Sequence, residues 1–470
     1  MIEQNYRTDK MLNEEDLKQI HESSMDILEN TGVEVPNEKI RDLFKENGAE
    51  VDGDRVCIPE TLVEESIEKA PSEFTIYARN SDKNVDVGKD HAVLAPGYGP
   101  PYATDIDEGR REGTFEDYKN FAKLASWSDH IDVVGGIMVE PKDIPEKIRP
   151  QKMVLGAAEH SDQPVFGTPL NKEKAFDCIK LASMLHGKDL IDDKSVLITL
   201  VNTTSPLGWD KNALDALMEH AKYNQAVVIA SLIMSGLTGP MTIAGTLTLQ
   251  NVEVLSGIVL TQLINPGTPA VYGSASTIAD MKKGNLTVGA PEYAKFIGAT
   301  AQIADYYDLP SRAGGTITDS LLGDAQAGYE SMMSSISSVY SGIDFVLHSI
   351  GLLENYMAMS YEKFMIDNEI LGFIKNYQEG IEVNEDTIAK EVISDIGPGD
   401  NYMRHSHTME HMQDFRKPEL SIRESYEPDK EVPSTVERAN EKWKKVLSEY
   451  DSPKLEEGIK EKMEDYINDI

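Results

Sequence analysis

One apolar run of this sequence ends in a residue that can do chemistry. The stretch GIDFVLHSIG (342–351) is almost continuously apolar until it reaches His348, and small residues follow. A histidine can donate or accept a hydrogen bond, and it can transfer a proton near neutral pH. Which of these roles His348 takes depends on the residues that end the neighbouring runs.

Seven other apolar runs contain small, hydroxyl-bearing or aromatic residues in their second half. They cover residues 92–99, 131–138, 164–170, 195–209, 226–236, 269–276 and 309–316. Helix-like segments separate them, at the spacing that βα units require. Eight such units, with 342–351 as the last, predict an α/β fold of the (β/α)8 TIM-barrel type. A doubly wound open sheet is the alternative, but no G-x-G-x-x-G follows the first run.

In such a barrel, the residues that follow the strands gather at one mouth, where the chemistry takes place. His348 is the candidate catalytic residue. The candidate substrate-binding residues are Gly97, Tyr98, Asn202, Trp209, Arg312, Gly315 and Thr316. Tyr98 and Trp209 are suited to form an aromatic cage around a cation. Arg312 is suited either to a structural ion pair or to holding an anion.

The predicted mouth lacks several familiar catalytic groups. No predicted strand end carries a carboxylate pair, a His-x-His metal motif or a lysine placed for Schiff-base formation. We therefore expect a site that holds a ligand, binds no metal, and relies on another agent for reactivity.

A histidine cluster follows the predicted barrel. GPGDNYMRHSHTMEHM contains His405, His407 and His411 in H-x-H-x3-H spacing, which could bind a transition metal. No cysteine is nearby, which favours solvated or interface histidines. The sequence leaves both readings open, and a metal-dependent barrel hydrolase remains an alternative function.

Composition limits the partners. A formal net charge of −36 argues against nucleic acid and anionic membranes. Two distant cysteines, Cys57 and Cys178, together with an N-terminus that lacks an apolar signal core, predict a cytoplasmic protein. Large barrels commonly associate, so a homo-oligomer is left open.

The chain divides into three predicted parts. Residues 1–90 form an N-terminal helical cap with a small hairpin at the Asp-Gly of AEVDGDRVCI. Residues 91–378 form the barrel, and residues 379–470 form an acidic helical extension.

Three motifs carry a resemblance to a known family. SRAGGTITDSLLGDAQAGYES, SYEKFMIDNEILG and GPGDNYMRHSHTMEHM resemble the trimethylamine methyltransferase superfamily, and the similarity extends over most of the chain. The resemblance implies a (β/α)8 barrel that moves a methyl group from an amine to the cobalt of a separate corrinoid protein. It implies no cofactor bound in this chain.

One difference from the archaeal members of this family limits the range of candidate substrates. The archaeal trimethylamine enzymes carry pyrrolysine near the position of TDSLLGDAQ, where this chain has ordinary residues such as Leu321. The chain thus resembles the pyrrolysine-free branch, whose members use quaternary amines such as glycine betaine, proline betaine or carnitine. Glycine betaine, which would yield dimethylglycine, fits a mouth lined by small residues best.

Quaternary-amine chemistry agrees with the missing acid–base pair, because a neutral tertiary amine leaves without prior protonation. His348 would hydrogen-bond the betaine carboxylate or contact the region where the methyl group meets the corrinoid. A quaternary-amine binding protein without catalysis is the alternative from another class.

Overall fold

The structure is a computed structural model that describes residues 10–88, 91–187, 194–425, 427–428 and 430–470. Eight parallel strands form its centre. They are β1 (Val93–Leu94), β2 (Val134–Gly135), β3 (Val165–Phe166), β4 (Leu197–Asn202), β5 (Ala226–Ser231), β6 (Ala270–Ser274), β7 (Ser311–Gly314) and β8 (Phe345–Leu347). The predicted fold is confirmed strand by strand.

The sheet closes on itself. The strand order is β1-β8-β7-β6-β5-β4-β3-β2. The amides of Asp132 and Val133, which precede β2, donate to the Leu94 carbonyl at 2.9 and 3.4 Å. The Leu94 amide donates in return to the Asp132 carboxylate at 2.8 Å. Because β1 and β2 are short, this side chain supplies an acceptor that a longer ladder would have provided.

Side chains alternate between the inside and the outside of the barrel, as they must along a strand. Those that point inward form one buried cluster, which includes Val93, Ile198, Leu200, Val228, Val271, Phe345 and Leu347. The residues between them, such as Val227 and Ile229, pack outward against helices. The antiparallel hairpin of Phe74–Ile76 and Val85–Val87 contributes Ile76 and Val87 to the inner cluster, so it fills one end of the barrel.

The part before the barrel is mainly helical. Its elements are α1 (Glu14–Asn30), the strand Val33–Glu34, α2 (Glu38–Glu46), the hairpin Glu50–Asp52 with Arg55–Cys57, α3 (Glu60–Ile67) and the 3-10 turn Ser81–Lys83. Asn13 caps α1 with a capping box, and three acidic residues follow it in the first turn. The predicted boundaries at residues 90 and 378 stay predictions, and residues 1–9, 89 and 90 lie outside the described residues.

Helices surround the barrel. They are α4 (Phe115–Trp127), α5 (Arg149–His160), α6 (Lys172–His186), α7 (Lys211–Lys222), α8 (Ile243–Ile264), α9 (Pro291–Tyr306), α10 (Ala325–Tyr340) and α11 (Tyr361–Gln378). In the described part of the chain, α8 alone is long and apolar enough to cross a membrane, but 78% of its apolar window is buried inside the protein. Its apolar surface faces α1, α3 and the barrel strands, as in a core helix.

The loops that follow the strands build two small sheets beside the mouth. Tyr102–Asp105 and Gly109–Glu112, after β1, join Leu352–Leu353 and Ala358–Ser360, after β8. Met234–Ser235, after β5, joins Thr277–Asp280 and Asn285–Thr287, after β6. The covering of the mouth is therefore ordered by backbone hydrogen bonds.

The C-terminal part contains α12 (Glu385–Ile388), α13 (Lys390–Ile396), α14 (Ser406–Glu410), α15 (Thr435–Glu449) and α16 (Glu457–Asn468). Two of these helices return to the barrel's outer layer. On α15, Trp443 stacks on Tyr361 with ring centres 4.5 Å apart, and on α16, Met463 packs in the cluster around Cys178. The segment between residues 375 and 419 is different, because none of its residues is buried.

Asp132 gives the barrel closure a pH dependence. Burial raises the pKa of its carboxyl to about 6, against about 3.9 in an unfolded chain. Since the folded pKa is the higher one, this group adds stability at low pH and loses that contribution as the pH rises through 6. We expect the free energy of unfolding, relative to that of Asp132→Asn, to rise by about 1 kcal/mol between pH 7 and pH 5.

Urea unfolding of both proteins at the two pH values measures this difference. Asparagine keeps a carbonyl acceptor for the Leu94 amide but does not titrate. Asp132→Ala, which leaves that amide unpaired, should be destabilised at both pH values by about 1–3 kcal/mol. A difference between wild type and Asp132→Asn that is the same at both pH values would contradict this account.

Candidate active site

Arg312 is the most unusual side chain inside the barrel. It lies on β7 in register with Phe345 of β8 and Gly273 of β6, so it points inward. It is 1% exposed, and Nη1 donates to the Ser274 carbonyl at 2.6 Å. Within the described residues, Nε and Nη2 have no hydrogen-bond partner. A buried guanidinium with two unpaired nitrogens and no counter-ion among the described residues calls for an anionic ligand.

His348 directly follows β8, which is the strand adjacent to the one that carries Arg312. Its backbone has a left-handed φ of 62°, an uncommon conformation for a residue with a side chain. The Tyr98 amide donates to His348 Nδ1 at 3.2 Å, so in the neutral ring the proton is on Nε2. Burial, together with the positive charge of Arg312, holds the pKa of His348 well below its usual range. His348 is therefore a neutral hydrogen-bond donor beside a cation.

Aromatic rings cluster near His348. Tyr98 is in edge contact with Phe166, with ring centres 5.3 Å apart, and Phe166 stacks on Phe345. A Cβ atom on Gly136 would lie 2.7 Å from the Tyr98 ring and 2.9 Å from Phe166, so glycine is required for this packing. Tyr98 is partly exposed, and burial of its hydroxyl raises its pKa.

Asn202 ends β4 and is exposed. It is two residues beyond Leu200, whose side chain lies in the barrel interior. By the alternation of a strand, Asn202 therefore lies on the inward side, at the rim of the mouth. It is the outermost polar residue among those that the sequence placed at the site.

Trp209 is not at the mouth, and the predicted cage of Tyr98 and Trp209 is not formed. Its Nε1 donates to Ser256 Oγ at 3.0 Å, and its ring lies against Gly257, both on α8. The loop after β4 turns outward because the Glu253 carboxylate, also on α8, accepts hydrogen bonds from Thr203, Ser205 and the Leu207 amide. Trp209 thus fills the layer between barrel and helices.

Gly97, Gly315 and Thr316 support the mouth without lining it. A Cβ on Gly97 would meet Leu352 and Met359 at 2.8 Å, and one on Gly315 would meet Ser349 Cα at 2.7 Å. The Thr316 carbonyl accepts a hydrogen bond from Lys363 Nζ of α11 at 3.2 Å. These residues face the covering elements, so their predicted role in binding substrate is not supported by their contacts.

Two tyrosines at the site were not predicted from the sequence. Tyr356 lies 4.7 Å from His348, ring centre to ring centre, and it comes from a loop with positive φ at Glu354, Asn355 and Tyr356. Tyr293 comes from α9, and its hydroxyl lies so close to Gly314 that a Cβ atom at that position would collide with it. Both hydroxyls are buried, close to each other and to Arg312. No strand-end pattern marks either position.

A surface cavity of about 650 Å3 lies at the opposite end of the barrel. Its lining includes Pro310 and Ser311, at the start of β7, and Ile343 and Asp344, just before β8. The catalytic end of parallel barrels is the carboxyl end of the strands, where Arg312 and His348 meet. We therefore assign the site to the mouth and not to this cavity.

A closed parallel barrel with buried polar groups at the carboxyl ends of its strands defines the class as a TIM-barrel protein with a ligand site at its mouth. Residues 1–469 match the model of the family described as trimethylamine methyltransferase (MTTB). The chain belongs to this family, and it is accordingly a methyltransferase.

Relatives within the family act on several amines. The chain is 45% identical to a glycine betaine methyltransferase of Desulfitobacterium hafniense, covering 97% of this chain and 96% of the relative. It is 32% identical to a proline betaine:corrinoid methyltransferase of Eubacterium limosum, over 98% and 97%. A trimethylamine methyltransferase of Methanosarcina thermophila is 33% identical, over 88% and 87%.

The fold also matches a solved structure. The monomethylamine methyltransferase of Methanosarcina barkeri superposes with a TM-score of 0.52 at 12% identity, covering 93% of this chain and 94% of that one. At this identity the match speaks for the fold alone.

The unpaired state of Arg312 predicts how its loss affects stability. In Arg312→Met a buried charge without a counter-ion is replaced by an apolar side chain of similar length, so the free energy of unfolding should be unchanged or higher. Lys363→Met is the matched control, because Lys363 is equally buried but is paired with Asp367. That variant should lose about 3–5 kcal/mol.

Urea unfolding of the two variants measures the contrast. A loss in Arg312→Met as large as that in Lys363→Met would mean that Arg312 is a structural residue, held by contacts within the chain.

Proposed function

We propose that this protein transfers a methyl group from a quaternary amine, glycine betaine foremost, to the cobalt of a corrinoid on a partner protein, releasing dimethylglycine. The observation that carries this proposal is the unpaired guanidinium of Arg312 at the mouth of the barrel. A betaine has both a carboxylate and a quaternary ammonium group, whereas trimethylamine has no anionic group for Arg312 to bind. The relative at 45% identity supports the same choice.

The carboxylate would be bound by two donors on adjacent strands. Arg312 has free N–H groups at Nε and Nη2, and His348 has a proton on Nε2 because its Nδ1 accepts from Tyr98. Charge-assisted hydrogen bonds of this kind are worth about 1.5–3 kcal/mol each. Since burial keeps His348 neutral, it adds a donor without adding a second positive charge.

The ammonium group would lie against aromatic rings. Tyr356 lies against His348, and Tyr98, whose amide donates to His348, lies against Phe166. Aromatic faces attract a quaternary ammonium ion and replace its weakly held water. A short zwitterion bound at one end by Arg312 then has its methyl groups near the mouth.

Reactivity is expected to come from outside the chain. A reduced corrinoid supplies the nucleophile, and displacement of a neutral tertiary amine needs no general acid. The residues of this chain have to bind the cation, exclude water and aim one methyl group outward. Among the described residues, no fully buried carboxylate oxygen lacks a hydrogen-bond partner.

The rim of the mouth fits a protein partner. Exposed apolar side chains follow the strands β5 to β8: Leu237, Met241, Met281, Leu321, Leu322 and Met357. Leu321 and Leu322 are each 68% exposed. Exposed apolar residues around a site mark a binding surface, so we assign this rim to the corrinoid protein, whose cofactor must reach the methyl group.

Proline betaine, carnitine and other trimethylated amines remain alternatives within the same reaction, and one relative uses proline betaine by name. A quaternary-amine binding protein without catalysis is no longer an alternative, because the chain is a methyltransferase. We propose that the protein is located in the cytoplasm.

Methyl transfer to free cob(I)alamin under anaerobic conditions tests the proposal. We expect turnover with glycine betaine and little with trimethylamine, read from the cobalamin absorbance and from dimethylglycine release. His348→Ala should lose about 10²-fold or more in kcat/KM, equivalent to about 3 kcal/mol, because it removes the donor beside Arg312.

His348→Asn provides the control for folding, because asparagine tolerates the left-handed backbone better than alanine does. Wild-type turnover in either folded variant would sink the role of His348. If neither glycine betaine nor trimethylamine is turned over with free cob(I)alamin, calorimetry with glycine betaine shows whether the substrate or the methyl acceptor is wrong. Binding would indicate that the cognate corrinoid protein is needed, and absence of binding would refute the substrate.

The rim makes a separate prediction. Leu321→Asp and Leu322→Asp place charges on the apolar rim and should lower kcat/KM with the cognate corrinoid protein by about 10-fold or more, since each truncated hot-spot residue costs over 1 kcal/mol. Activity with free cob(I)alamin should be retained. Ile106→Asp, at an exposed apolar position on the turn between Tyr102–Asp105 and Gly109–Glu112, is the matched control. Equal losses with both acceptors would argue that the rim shapes the site and does not dock a partner.

A further inference from the structure

Two of the three clustered histidines face the same residue, Asp386. His411 Nε2 lies 3.1 Å from Asp386 Oδ2, and His407 Nε2 lies 3.2 Å from the Asp386 backbone carbonyl. One donor atom from each of Asp386, His407 and His411 falls within 4.8 Å of the others. His407 and His411 are four residues apart across α14, and their ring centres are 4.2 Å apart.

The surroundings of this trio have the features of a metal site. His411 Nδ1 contacts Asp414 Oδ2 at 2.5 Å, an arrangement that orients the ring and leaves Nε2, which faces Asp386, as the candidate ligand atom. His405 is set apart, because its Nδ1 accepts the His407 amide at 3.2 Å and so caps α14. The structure thus distinguishes His407 and His411, which are candidate metal ligands, from His405, which caps a helix. The sequence alone did not make this distinction.

The segment that carries the trio has no core of its own. No residue between 375 and 419 is buried, and α12, α13 and α14 are all short. The segment is fixed at its far end, where Glu369 accepts hydrogen bonds from the amides of Glu419, Leu420 and Ser421. Small units without an apolar core commonly need a metal or another cross-link to hold one conformation.

We infer that Asp386, His407 and His411 bind a divalent transition-metal ion that ties residue 386 to α14. Two imidazoles and one carboxylate suit Zn²⁺ or a neighbouring first-row ion, whereas Mg²⁺ and Ca²⁺ prefer oxygen ligands. Donors at about 2.0–2.2 Å from Zn²⁺ lie about 3.4 Å apart in a tetrahedral site, so a small contraction brings this trio to it. The ion's role is structural, since it lies on the extension and not at the mouth.

A simple ion pair is the competing explanation. Asp414 foremost, with Asp386, raises the pKa of His411, and a protonated ring between two carboxylates needs no metal. The groups facing His411 are Asp386, Asp414 and the ring of His407. An imidazolium ion pair does not require His407, whereas a metal site does.

Metal analysis of the untagged full-length protein separates the two explanations. We expect a single equivalent of Zn²⁺ per chain after dialysis against micromolar Zn²⁺, and no retention of Mg²⁺ or Ca²⁺. His407→Ala, His411→Ala and Asp386→Asn should each abolish the retained Zn²⁺. Asp414→Asn should weaken Zn²⁺ binding by about 10–100-fold through His411. His405→Asn, which keeps a helix-capping side chain, should bind as wild type does.

Limited trypsin digestion gives a second readout that is independent of methyl transfer. Zn²⁺ should slow cleavage at Lys390 and Arg404, both exposed within the segment, in wild type and His405→Asn alone. Failure to retain Zn²⁺ in wild type, or equal retention in all the variants, would overturn the inference and leave His411 as an ion-pair residue. Neither result bears on the proposed reaction, because the site lies outside the mouth.

Discussion

Closure of a short-stranded parallel sheet is the constraint on which the rest of this structure depends. Strands β1 and β2 contain two residues each, so few ladder hydrogen bonds are available where the sheet must meet itself. The Leu94 carbonyl and the Asp132 carboxylate provide acceptors at this seam. Once the seam is closed, all eight strands end at one face, and every second residue of each strand points into a common interior.

Two buried charged side chains on the helices around the barrel are fully hydrogen-bonded. Lys363, which is fully buried, donates to Asp367, Ser331 and the Thr316 carbonyl. Glu253, also buried, accepts hydrogen bonds from three groups of the loop after β4. Against this background the two free N–H groups of Arg312 stand out. A group that costs stability in the folded protein is retained where function uses it.

The covering elements decide which chemistry the mouth supports. The loop after β8 turns back through three residues with positive φ and lays Tyr356 on His348, while the loop after β4 is drawn outward by α8. The aromatic contribution to the site therefore comes from Tyr98, Phe166 and Tyr356, and not from Trp209. An apolar rim remains outside the site, and the described residues assigned to the site include no carboxylate pair.

The sequence by itself determined the barrel, its strand ends and the family. Alternation of apolar runs with helical segments is a local signal, and eight repeats of it suffice for the fold. For the same reason Arg312 and His348 could be placed at the mouth, since Arg312 lies within a predicted strand run and His348 directly follows the apolar part of one. The sequence could not place Tyr356, Tyr293 and the displaced Trp209, because loop conformation and helix packing are set by contacts between residues distant in the chain.

The sequence showed three histidines with metal-like spacing, but only the tertiary structure brought Asp386 to two of them and assigned His405 to a helix cap. Spacing along a chain fixes which residues share one element, whereas the meeting of different elements depends on the packing of the whole molecule.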